Sequence, residues 1–168
     1  MNLKKIRPVT PSYRNLIQIN NKHLTKTFEV KSKIIGSKNT AGRNNTGKIT
    51  SFQKGGGHKQ KYRNIDFFRT QDSIGIVTSI EYDPNRSANI ASIFSIYKKH
   101  YFYILAPKNL KIGNIIKTGA NAESKIGHSL PISNIPVGCC IHNVSPKIKK
   151  KAQISRAAGT FSSLIEKT

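Results

Sequence analysis

The sequence predicts a mostly β chain: a small antiparallel barrel, preceded by a long basic arm and followed by the start of a second, incomplete unit. Three observations predict it. Apolar residues alternate with period two in short runs between residues 74 and 118, separated by turn residues and without a sustained helical period. The first 60 residues are dominated by Ser, Asn, Thr, Gly and Lys, a composition that buries little and reads as loop or extended arm. The charge is segregated along the chain. Residues 1–63 hold 15 basic and one acidic residue, residues 64–144 hold 8 and 5, and residues 145–168 hold 6 and one. A nearly neutral body between two cationic ends is what these counts describe.

Within the arm, taken as residues 1–60, only residues 23–30 (HLTKTFEV) read as a short strand. The barrel is expected over residues 61–125. Residues 62–69 (YRNIDFFR) are rich in aromatics, and Ile74, Ile76, Thr78, Ile80 and Tyr82 alternate along one face of a strand. The segment DPNRS at 83–87 is a turn, because Asp83 and Asn85 bond to nearby backbone and Pro84 fixes its own φ. Alternation resumes over residues 88–97, and Lys98 and Lys99 close a hairpin into a strand at 101–105. After a loop at 106–114, a short strand falls at 115–118. About five short strands with little helix point to a small barrel. The last unit, residues 126–168, has Pro131 and Pro136 as punctuation, VGCCIHNV at 137–144 as a strand, a basic loop at 145–160 and a strand at 161–165. Two strands do not make a stable domain, so this unit reads as unfinished.

The net charge of +22 calls for a polyanionic partner. A membrane surface wants the basic residues on one face of an amphipathic helix, with large apolar residues opposite. Here they sit among Gly, Asn, Ser and Thr, and Trp is absent, so the partner is nucleic acid. No run approaches the ~18 apolar residues that span a bilayer. Cys139 and Cys140 are adjacent, which suits neither a disulfide with each other nor a spaced metal-ligand pair. The opening residues lack the apolar core of a secretory signal. Heavy use of Lys, Ile, Asn and Ser suggests an AT-rich genome, as in organelles.

The richest segment is residues 42–63, GRNNTGKITSFQKGGGHKQKYR, which has no acidic residue. Its GRNNTGK matches the first seven positions of the phosphate-cradling GxxxxGK[ST] loop, but the eighth is Ile49, so no hydroxyl is placed for magnesium. No buried strand precedes it and no helix follows, so a nucleotide hydrolase is set aside. Arg43, Asn44, Asn45 and Lys48 are instead assigned to RNA phosphates and sugars. Gly55, Gly56 and Gly57 allow the backbone to approach a phosphate chain closely, and Lys54, His58, Lys59, Tyr62 and Arg63 surround them. Lys149 and Lys150 in the basic loop join the same set. The five histidines are scattered without acidic companions, and no nucleophile–base or paired-carboxylate pattern occurs, so no catalytic or metal site is expected. Most aromatics are assigned to the core, with Tyr62 the best candidate for stacking on a base.

Six motifs occur in one order: GRNN-x-GKIT, GGGHK-x-x-YR-x-x-DF-x-R, EYDPNRSANIA, YILAPK-x-L, IPVG-x-x-x-HNV and R-x-AGT. Together they resemble the bacterial-type large-subunit ribosomal protein L2 family, over about residues 40 to 161. The resemblance implies an arm, a five-stranded OB-type barrel, an SH3-like barrel and a structural role on large-subunit rRNA, beside neighbouring ribosomal proteins. It adds Asn85, Arg86 and Ser87, and Arg156, Gly159 and Thr160, to the RNA contacts. No cofactor is implied beyond magnesium ions held by the rRNA itself, and neither a membrane nor a homo-oligomer. The chain is expected to be the N-terminal portion only, with the SH3-like barrel incomplete and a separate polypeptide supplying the rest. A mitochondrial ribosome is the expected setting, ahead of plastid or bacterial cytoplasm. The rival reading is a free RNA chaperone or single-strand binder of cold-shock type, which requires exposed aromatics at Phe67, Tyr82 or Tyr101.

Overall fold

The computed structural model describes residues 3–27, 30–147 and 150–167. Ten strands make four antiparallel sheets: β1 (Leu3–Lys5) with β2 (Ile17–Ile19), β3 (Ile34–Ser37) with β4 (Gln60–Arg63), and β9 (Cys140–Ile141) with β10 (Ser162–Ser163). The fourth holds β5 (Ser73–Glu81), β6 (Ile90–Ser95), β7 (His100–Leu105) and β8 (Ile115–Thr118) in the order β7-β6-β5-β8.

Among the described residues the expected barrels are not formed. The four-stranded sheet is open, and no ladder among the described residues joins β7 to β8. The aromatic segment at 62–69, read as a barrel strand, divides instead. Its first two residues end β4, which pairs with β3 in the arm, and Ile65 makes only one parallel bridge to Tyr103. Beyond that bridge the Asp66 carboxylate accepts bonds from the backbone N–H of Phe68 (3.0 Å) and Arg69 (3.1 Å). Arg69 itself has φ +42°, in the left-handed region, so the strand cannot continue. The described residues of the second unit form no SH3-like barrel either. Gly138 at φ +86° and Asn143 at φ +55° interrupt the apolar run at 137–144, leaving β9 only two residues long. The strand expected at 23–30 is likewise not found at residues 23–27, and Phe28 and Glu29 lie outside the described residues.

Alternation along β5 is present, but the inward positions are Gly75, Val77, Ser79 and Glu81. A Cβ on Gly75 would stand 2.5 Å from Ile93 Cγ2 and 2.9 Å from the Phe94 carbonyl, so only glycine permits this approach of β6. Thr78 is the extra residue of a β-bulge between the Val77–Ile93 and Ser79–Ser92 pairs. The core has two parts. Val77, Ala91, Ile93, Ile104, Leu110 and Ile116 fill one face of the sheet. Val30, Ile65, Phe67, Ile90, Tyr103 and Leu105 form the other and tie the arm to the body through Val30. Leu24 is buried too, and Thr25 N–H donates to the Ile80 carbonyl at 2.8 Å.

Candidate nucleic-acid interface

The turn after β5 is organised by Asp83, whose side chain is fully buried. Its Oδ1 accepts from Asn85 N–H (3.0 Å) and Asn85 Nδ2 (3.2 Å), and its Oδ2 accepts from Arg86 Nε at 2.6 Å. Arg63 Nη1 lies 3.8 Å from Oδ1 and donates to the Lys61 carbonyl at 2.8 Å. Asn85 Nδ2 also donates to that carbonyl, at 3.0 Å, so the turn is pinned to β4. A charge this deeply buried is tolerated because it is paired and hydrogen-bonded.

Beside this turn stands Phe67, almost wholly buried. Three cations gather on its ring. The Arg156 guanidinium carbon is 3.8 Å from the centroid, Lys151 Nζ is 5.2 Å away and the Arg86 guanidinium carbon 5.8 Å. The ring quadrupole attracts each of them. Ala152 N–H donates to the Phe67 carbonyl at 3.2 Å, and Ala158 N–H donates to Ser87 Oγ at 3.1 Å. The chain at 151–158 is therefore laid against the turn at 83–87. Next to it Gly159 sits at φ +79° with open space where a Cβ would be, and the Thr160 hydroxyl donates to the Ala157 carbonyl at 2.8 Å.

The sequence-predicted residues Asn85, Arg86, Ser87 and Arg156 thus come together, with Gly159 and Thr160 alongside. Arg63 is drawn in as well, but it is buried against Asp83 and braces the turn from below. Lys151 and the ring of Phe67 were missed by sequence reasoning. The spacing of 84 residues between Phe67 and Lys151 carries no local signal. Lys150 is exposed, its carbonyl accepting from Ser145 Oγ at 2.8 Å, and Lys149 lies outside the described residues.

The arm residues form a second group. Residues 42–51 make a tight loop around the Asn44 carboxamide oxygen, which accepts from Thr46 N–H, Thr46 Oγ1 and Lys48 N–H at 2.8–3.0 Å. Arg43 Nη1 donates to the Gly47 carbonyl at 3.2 Å. Gly42, at φ +68°, closes the loop: a Cβ there would collide with the Ser51 carbonyl oxygen. Asn45 and Lys48 are exposed at the loop's tip and Lys54 at its far side. Gly55 and Gly57 have nothing within 4 Å of a built Cβ, while Gly56 backs onto Ala41. His58 Nδ1 lies 3.0 Å from the Lys59 carbonyl, and Tyr62 is 40% exposed on β4. This is a glycine-lined, cationic surface with bare backbone, suited to phosphates.

Of the three aromatics that a cold-shock-type binder would expose, Tyr82 and Tyr101 are exposed and Phe67 is not. Contrary to expectation, Phe68 and Tyr97 are exposed as well.

A β scaffold with an acid-poor glycine loop and a cation-ringed junction has the features of a nucleic-acid-binding surface. Comparison with known families agrees. The model described as "Ribosomal Proteins L2, RNA binding N-terminal domain" matches residues 30–118, and that described as "Ribosomal Proteins L2, C-terminal domain" matches residues 125–168. The chain belongs to the ribosomal protein L2 family. It is similar to the large ribosomal subunit protein uL2m of Reclinomonas americana, with 48% identity over 168 residues, which cover 99% of this chain and 60% of that relative.

The second match overturns the expectation of an N-terminal portion only, since both family domains are represented in this one chain. It overturns with it the expectation of a separate polypeptide supplying the C-terminal half. Within residues 161–165, Ser162–Ser163 pairs with β9 of the same chain, while Phe161 and Ile165 stay exposed. Gly138 N–H donates to the Leu164 carbonyl at 2.7 Å and Leu164 N–H to the Cys139 carbonyl at 3.1 Å.

Proposed function

We propose that this chain is a structural, non-catalytic constituent of the large subunit of a mitochondrial ribosome, where it binds and stabilises large-subunit rRNA. The observation that carries the proposal is the Phe67 junction. It holds Arg86, Lys151 and Arg156 around one ring; Asp83 pairs with Arg86 in the turn beneath, so the charges of Lys151 and Arg156 are left for an outside anion. Like charges held this close repel, and phosphates relieve the repulsion.

The division of labour follows the chain. Residues 1–60 serve as the RNA-tracking arm, with Arg43, Asn44, Asn45, Lys48, Lys54 and the stretch from Gly55 to Lys59 on phosphates and sugars and Tyr62 beside them. Residues 61–125 supply the body and the DPNRS turn, and residues 126–168 add Arg156, Gly159, Thr160 and the basic loop with Lys149 and Lys150. Family membership supports the RNA role, and the likeness to uL2m supports the mitochondrial setting. Expression of the tagged chain in its host, followed by gradient sedimentation, tests this. The chain should travel with large ribosomal subunits and be released by high salt. Sedimentation only at the top of the gradient at low salt would refute it.

A further inference from the structure

A cavity of about 270 Å³ opens at the β6–β7 end of the four-stranded sheet, away from the residues assigned above. Phe68, Arg69, Lys98, His100, Phe102 and Thr118 line it. We propose that this cavity receives a single unpaired RNA base, with Phe68, His100 and Phe102 as its stacking walls and Arg69 and Lys98 beside the attached phosphate. The proposal rests on the RNA-binding reading above and gives it a site for reading single-stranded RNA.

His100 and Phe102 are two apart on β7 and so face the same way, with ring centroids 5.9 Å apart and planes 39° apart. Phe68 is 53% exposed, so its ring face is open to a flat partner. The loop that presents it is fixed, because Asp66 Oδ1 accepts from both Phe68 and Arg69 N–H. Arg69 is held rigidly, with Nη1 donating to the Gly127 carbonyl (2.8 Å) and Nη2 to Thr118 Oγ1 (2.9 Å). Its Nε is buried and finds no hydrogen-bond partner among the described residues. A desolvated donor without an acceptor costs free energy that an incoming anion offsets. Burial also pushes the guanidinium down to about 10, against the raising effect of Asp66.

Two strained backbone positions flank the cavity: Arg69 at φ +42° and Lys99, next to Lys98 in the hairpin turn, at φ +48°. The lining also carries Asp66, Ser73 and Ser95, polar groups able to meet a base edge. A base stacked within a duplex cannot enter, whereas one from a loop or bulge can.

The test uses the full chain and a short single-stranded RNA carrying 5-iodouridine, photocross-linked at low salt, with cross-linked residues identified by mass spectrometry. Cross-links should fall on Phe68, His100 or Phe102. Phe68→Ala with His100→Ala should reduce them about tenfold, in line with lost aromatic stacking, while total RNA affinity falls by less than about threefold. If that double variant unfolds by circular dichroism, Phe68→Leu, which keeps the packing, should still lower the yield. The same sequence as a duplex should not cross-link there. Cross-links confined to residues 42–63 and the Phe67 junction, or equal yield from the duplex, would overturn the pocket. Absence of any RNA binding by the wild-type chain at low salt would instead refute the RNA reading as a whole, and the pocket with it.

Discussion

Asp83 is the residue on which the interface turns, because one buried carboxylate holds Arg63, Asn85 and Arg86 in place. Asp83→Ala leaves Arg63 buried without that partner, and breaking a buried pair from one side costs about 3–5 kcal/mol. Urea unfolding should show a loss of that order, with RNA affinity falling as the turn loosens. Gly42 gives the opposite pattern. Gly42→Ala adds a Cβ at φ +68° against the Ser51 carbonyl, so the exposed loop at 42–51 must open. Filter binding should register weaker RNA affinity while the urea midpoint of the body hardly moves. The two substitutions separate a residue that acts through the core from one that acts on the loop alone. Arg63 belongs with the first kind. From sequence it reads as one more RNA-facing cation, because its partner is twenty residues away and the charge pattern cannot show which cation turns inward.

At the scale of elements, β5 explains why the sheet was legible and the barrel was not. Alternation identified the strand, but the buried set is Gly75, Val77, Ser79 and Glu81, with Ile76 exposed and Ile80 only partly buried against the core. Glu81 is buried in a polar cluster, accepting from Ser79 Oγ at 3.0 Å and from the Tyr103 hydroxyl at 3.1 Å. Burial and then the Glu81 charge push that hydroxyl above its ordinary range. Such networks depend on partners from other strands, and no local window contains them. The strand at 137–144 failed for a related reason, since its turns are set by left-handed residues whose φ no pattern announces. Next to β9, His142 is pushed below its ordinary range by burial and, secondarily, by Arg69. A histidine depressed in the folded state binds fewer protons there than in the unfolded chain. Its penalty is therefore absent at neutral pH and grows as pH falls below about 6.5. Thermal melts should lose stability on acidification through that window, and His142→Gln should flatten this part of the profile.

For the whole molecule, the charge segregation visible in the sequence survives folding as a division between an anchored body and two cationic surfaces. The arm is less loose than its composition suggests, because Leu24 and Val30 are buried and β3 pairs with β4. Leu24 and Val30 belong to the segment that reads as a strand, and they are buried in the body without forming one. The junction of residues 83–87 with 151–158 was only half legible. Both segments read as RNA contacts, but that they meet on Phe67 follows from packing across a separation that periodicity does not reach.

The central claim is that the cations on Phe67 neutralise RNA phosphates, and salt dependence tests it most directly. Each phosphate contact contributes about 0.7–0.9 to the slope of log affinity against log salt. Lys151→Ala with Arg156→Ala, in a chain still folded by circular dichroism, should lower that slope by roughly 1.5 relative to wild type. An unchanged slope, with affinity equal to wild type at every salt concentration, would contradict it.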